Sequence, residues 1–134
     1  CVSDEGIKSF LDSEWTVSGE SNRIAYRYKG ASIAFHDFEP PFGAGNSSSN
    51  VVDVVYPIGA VMLPNSEEII VLHNDATSGG GFVTIGTVIS SDLDIIAQSR
   101  PFSRTRFLAV TRTQAIQARA EKQERIKRLA ERLK

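Results

Sequence analysis

All five prolines and all ten glycines of this 134-residue chain lie within its first 101 residues. These two residue types break helices and shape turns. The first hundred residues must therefore be short segments joined by turns, while the last thirty hold nothing that would interrupt a helix. Thr111 to Lys134 is rich in Ala, Gln, Glu, Lys, Arg and Leu, the strong helix formers. Glu121–Arg125 and Glu124–Arg128 are i, i+4 pairs in the favourable order, each worth about 0.2–0.5 kcal/mol. Cations crowd the last turns, where the helix dipole favours them. The pattern predicts one helix of about 20 residues. Its apolar stripe is thin: Ile116, Ala120, Ile126, Ala130 and Leu133, with Leu129 alongside. Such a stripe suits a helix lying on a body or projecting from it, not one sunk in a core.

Charge divides along the same line. Residues 1–100 hold 5 Lys+Arg against 13 Asp+Glu, a net of -8, and residues 101–134 hold 10 against 3, a net of +7. The near-neutral total of -1 hides an acidic body with a basic arm. We place the boundary at 104/105, with an acidic α+β domain over 1–104 and an interaction arm over 105–134. At 41% apolar residues the body can build a modest core. No apolar run approaches the roughly 18 residues needed to span a bilayer.

Within the body, Ser3-Asp4-Glu5 reads as a helix cap with acid in the first turn. Ile7, Phe10 and Leu11 carry a short helix to about Asp12, weakened by Gly6. Trp15 and Val17 start an extended segment. Ile24–Tyr28 and Ala31–Phe38, joined at Lys29-Gly30, alternate apolar and polar residues and read as a hairpin. Pro40 to Asn50 and Asn74 to Gly81 read as loops. Val51–Tyr56, Ala60–Leu63, Glu67–His73 and Phe82–Ile89 read as strands. Leu93–Ala97 is a further strand or one helical turn. No stretch before Pro101 is long enough for a crossover helix, so antiparallel pairing is expected. The fold class is α+β: a short N-terminal helix, an antiparallel sheet of about five or six strands, and a long basic C-terminal helix.

Candidate chemistry is sparse. His36, Asp37 and Glu39 cluster in sequence, and His73 stands near Asp75, but their spacing fits no metal template. Ser78-Gly79-Gly80-Gly81 precedes β sequence rather than a helix, so it lacks the form of a phosphate loop. No acid, base and nucleophile set can be assembled, and no Ser sits in a nucleophile elbow. We therefore expect no enzyme, no catalytic residue, no metal and no cofactor. Arg112, Arg119, Lys122, Arg125, Arg128 and Arg132 on the arm are the candidate partner-binding residues. They could also follow a nucleic-acid backbone, but the arm offers no aromatic for base stacking.

The only cysteine is Cys1, and the start Cys1-Val2-Ser3-Asp4 resembles the mature end of a bacterial lipoprotein. The resemblance implies a lipid on Cys1, holding the chain to the outer membrane on its periplasmic or surface side. It leads to an expected function: a non-catalytic accessory or structural subunit of a cell-envelope assembly, such as a secretion, conjugation or appendage complex. Other envelope proteins or copies of itself would be its partners, docked through the basic helix. Two alternatives stand beside it: a virion or other self-assembling subunit, and a small nucleic-acid-binding protein.

Overall fold

The computed structural model describes residues 1–37 and 39–134. The chain opens with α1 (Asp4–Asp12), capped by Ser3, whose Oγ accepts from the Gly6 amide at 3.0 Å. Asp4 and Glu5 occupy the first turn, where the helix dipole favours acid. At its far end the Phe10 carbonyl, without a helical partner, accepts from Trp15 Nε1 at 3.0 Å.

The remaining elements are β1 (Trp15–Val17), β2 (Ala25–Lys29), β3 (Asn50–Val55), β4 (Ala60–Met62), β5 (Glu68–Leu72), β6 (Gly79–Phe82), β7 (Thr84–Thr87), α2 (Leu93–Ala97), β8 (Arg104–Thr105) and α3 (Arg112–Arg132). Six strands form one antiparallel sheet in the order β7-β4-β5-β2-β1-β8. β3 and β6 form a separate antiparallel ribbon. This is the α+β class expected from the sequence, with its short first helix, antiparallel sheet and long basic last helix.

Burial follows from the alternation in β5. Ile69 and Val71 join Trp15, Val17, Tyr28, Ile33 and Leu63 in one core, closed by Phe10 of α1 and Ile96 of α2. Ile70 and Leu72 face the other way, with Tyr56, Ala60 and Met62. Both faces of β5 are covered, so its sequence is a continuous apolar run rather than an alternating one.

Three local expectations fail. The predicted hairpin does not form: β2 pairs with β1 and β5, and 31–37 makes no ladder with it. That segment instead runs past the N-terminus. Phe35 bridges Val2, the His36 amide donates to Cys1 O at 2.8 Å, and Ile33 sinks into the core. Its alternating pattern reflects these anchors, not a strand partner. Phe38, the end of that predicted strand, lies outside the described residues.

The glycine triplet, expected as loop, belongs to β6. A Cβ on Gly80 would stand 3.0 Å from Tyr56 Cε2. The Tyr56 hydroxyl donates to Phe82 O at 2.8 Å and accepts from Phe82 N at 2.7 Å. Glycine lets the ribbon lie on the tyrosine ring. The single strand expected over Phe82–Ile89 is consequently split between ribbon and sheet at Val83.

α3 begins with a capping box. Thr111 Oγ1 accepts from Gln114 N at 3.2 Å, and Gln114 Oε1 accepts from Thr111 N at 2.8 Å. No α3 residue is buried.

Candidate functional site

Ala25 and Leu72 pair at one end of β2 and β5. The turn entering β2 and the turn leaving β5 are thereby neighbours. With Ala97 of α2 they bound an open cleft of about 670 Å³, lined by Asn22, Arg23, Tyr26, His73, Asn74 and Asp75.

Local chemistry fixes this arrangement. Asn22 Oδ1 accepts from the amides of Ile24 at 2.9 Å and Ala25 at 3.2 Å, an Asx turn that places Arg23 at the tip. The His73 amide donates to Ile24 O at 2.9 Å and locks the two turns together. Across the cleft Arg23 Nε donates to Asp75 Oδ2 at 2.8 Å, and Nη2 donates to the same oxygen. The Arg23 side chain is 88% exposed, so this pair adds little stability and can open to another anion.

The His73 ring lies 5.2 Å from that of Tyr26, tilted by 59°. Its Nε2 is buried and has no hydrogen-bond partner among the described residues. Burial lowers its pKa from the ordinary 6.5, so the ring stays neutral at pH 7. The Tyr26 hydroxyl is committed to Ala97 O at 2.8 Å, so Tyr26 serves as a wall and ties α2 to the cleft.

A titration follows. The unfolded chain binds the His73 proton more readily than the folded one, so stability is lost as pH falls below about 6.5. Between about pH 7 and pH 5 the wild type should lose more stability than His73→Gln, measured as urea unfolding midpoints. Parallel profiles for the two proteins would refute the buried neutral ring.

The residues singled out from sequence fall elsewhere, except His73 and Asp75. His36 and Asp37 are exposed and do not line the cleft. Cys1 is exposed. Arg112, Arg119, Arg125, Arg128 and Arg132 are exposed along α3, and Lys122 is half-buried against α2. Asn22, Arg23 and Tyr26 went unnoticed in the sequence. Their one visible signal is a Ser-Asn pair just before an alternating segment, which favours an Asx turn.

Residues 1–109 match the carboxyltransferase domain, subdomain A and B. The chain belongs to the carboxyltransferase domain family. It is 31% identical over 107 residues to a 5-oxoprolinase subunit of Haemophilus influenzae, covering 80% of this chain and 31% of that one. It is 30% identical over 125 residues to the corresponding 5-oxoprolinase subunit of Escherichia coli, covering 93% and 37%. The crystal structure of the Kluyveromyces lactis urea carboxylase superposes with a TM-score of 0.86 at 27% identity, over 92% of this chain and 11% of that one. The chain thus spans about a third of the length of the 5-oxoprolinase subunits it matches.

The carboxyltransferase match corrects the functional reading of the sequence. The lipoprotein resemblance rested on one residue, Cys1, whereas the family match extends through the folded body. The outer-membrane location and the envelope partners fall with it. So does the non-catalytic envelope subunit, together with its virion and nucleic-acid alternatives. The chain is related to enzyme components, against the expectation of no enzyme. No helix among the described residues is long and apolar enough to cross a membrane.

Proposed function

We propose that this chain is part of an enzyme acting on a small amide, of the kind its relatives' names carry, 5-oxoproline or urea. The cleft between the β2 and β5 turns would face that substrate. One observation carries the reading: the carboxyltransferase match over residues 1–109, with a urea carboxylase superposing on 92% of the chain. The cleft is chemically suited to such a ligand. Arg23 can exchange Asp75 for a substrate carboxylate or carbonyl, since guanidinium groups bind planar oxyanions in two-point fashion. His73, kept neutral by burial, would present an uncharged ring as a wall and hydrogen-bonding group for the ligand. Asp75 would hold Arg23 in place until the substrate arrives.

The first test is binding. 5-Oxoproline and urea are titrated separately into the protein while the His73 ring is followed by NMR. At least one should shift the His73 signals, with His36 as the internal control. Arg23→Ala should weaken that binding about ten-fold, the loss of one charged hydrogen-bonding partner. Silence of the His73 signals at saturating concentrations of both compounds would remove the cleft as the substrate site.

A further inference from the structure

One face of α3 touches the body through Ala115 and Lys122 in its first half and stands free in its second, while Ile116 of the first half, off this face, is 60% exposed. At about 100° per residue, Ala115, Lys122, Ile126, Leu129 and Leu133 share one face. Ala115 sits in the apolar groove beside α1 and α2. Lys122 Nζ donates to Asp94 Oδ1 at 2.7 Å and to Ser91 O at 2.9 Å. The Lys122 ammonium holds the Asp94 carboxyl below its ordinary range. Beyond Lys122 the same face continues without cover: Ile126 is 55% exposed, Leu129 52% and Leu133 88%.

Charge on this free half is sorted by side. Glu124 and Glu131 lie opposite the stripe, on the back of the helix, and Arg128 is paired with Glu124 there. Arg125 and Arg132 flank the stripe. The exposed face is therefore apolar at its centre and cationic at its edge. Two copies of α3 packed antiparallel through this seam would set Arg125 of one against Arg132 of the other, which like-charge repulsion opposes.

We propose that the distal half of α3 docks a helix of another polypeptide whose apolar seam is flanked by Asp and Glu. Within the arm assigned to residues 105–134, Arg125 and Arg132 would be the partner-reading cations. Lys122 is spent on the body through Asp94 and Arg128 on Glu124, so neither reads the partner. This inference does not depend on the substrate reading of the cleft.

The probe is a synthetic helical peptide with Leu at its seam positions and Glu at the flanking ones. Its twin carries Lys in place of Glu. Fluorescence anisotropy against the whole chain should show the Glu peptide binding at least about ten-fold tighter, with affinity falling as salt rises. The double variant Ile126→Ser, Leu129→Ser should lose about ten-fold in that affinity. Both side chains stand off the body, so its thermal unfolding should be unchanged. Equal binding of the two peptides, or binding of neither, would overturn the proposal. So would a concentration-dependent dimer in light scattering that the double variant dissolves, which would put a second copy on this face.

Discussion

Trp15→Ala is expected to lower the free energy of unfolding by about 3–5 kcal/mol, the range for emptying a buried aromatic site. Trp15 has no exposed surface. It joins α1, β1 and the turn after β2 in one place. Its Nε1 caps the end of α1 through Phe10 O, and its ring lies 5.8 Å from the Phe10 ring. Gly30, after β2, comes so close that a Cβ there would stand 2.7 Å from Trp15 Cε3. Alanine would leave a cavity between α1 and the sheet and an unpaired carbonyl at the helix end. Whole domains are stable by only about 5–15 kcal/mol, so such a loss removes a large share. Urea unfolding with a shared slope measures it. Trp15→Phe separates the causes: most of the packing remains, the indole bond goes, and about 1–2 kcal/mol should be lost. A Trp15→Ala loss under about 1 kcal/mol would mean that the core closes over the gap.

Where the information is local, the sequence could be read. α3 follows from helix formers, from the absence of Pro and Gly, and from Thr111 with Gln114 at its start. Ser3 marks α1, and the run Ile69–Leu72 marks a strand buried on both faces. Alternation in 31–37 shows which side chains turn inward, but not what supplies the backbone partners. Ile33 and Phe35 therefore looked like a strand beside β2. The glycines at 79–81 read as slack because what they pack on is far away in sequence: Gly80 lies against the ring of Tyr56, 24 positions earlier, and Gly79 and Gly81 against the backbone of β3. The cleft was hidden for the same reason. Arg23 and Asp75 are 52 residues apart and meet only because β2 pairs with β5. Without that pairing no set of acid, base and anion-binding groups can be assembled. The enzyme relationship is therefore not legible in the sequence, where Cys1 is the most conspicuous single residue.

Gly6→Ala sets a local preference directly against packing. Inside a helix Ala is favoured over Gly by roughly 0.5–1 kcal/mol, so α1 considered alone should gain stability. The fold predicts the opposite sign. A Cβ on Gly6 would stand 2.2 Å from Ala34 O and 2.9 Å from Val2 Cγ1. No rotamer change relieves a clash with a backbone oxygen, so either the first turn of α1 or the segment 33–36 must move. That segment is pinned on both sides. Ser3 N and Oγ each donate to Ala34 O at 3.1 Å, and His36 N donates to Cys1 O at 2.8 Å. Ile33, one residue before Ala34, is 1% exposed and anchored in the main core. Overpacking of this kind costs about 1–3 kcal/mol, and occasionally more. The net expectation is a loss of about 1 kcal/mol after the helix preference is subtracted. Amide exchange should quicken at Ser3 and His36, where the contact opens, and not at Val71 in the centre of the sheet. A Gly6→Ala protein as stable as the wild type would show that the N-terminal contact with 33–36 contributes nothing. Gly6 would then be the weak helix residue that its sequence suggests. A loss with that exchange pattern would instead show that the helix accepts a poor former because only a bare Cα lets α1 approach the backbone behind it.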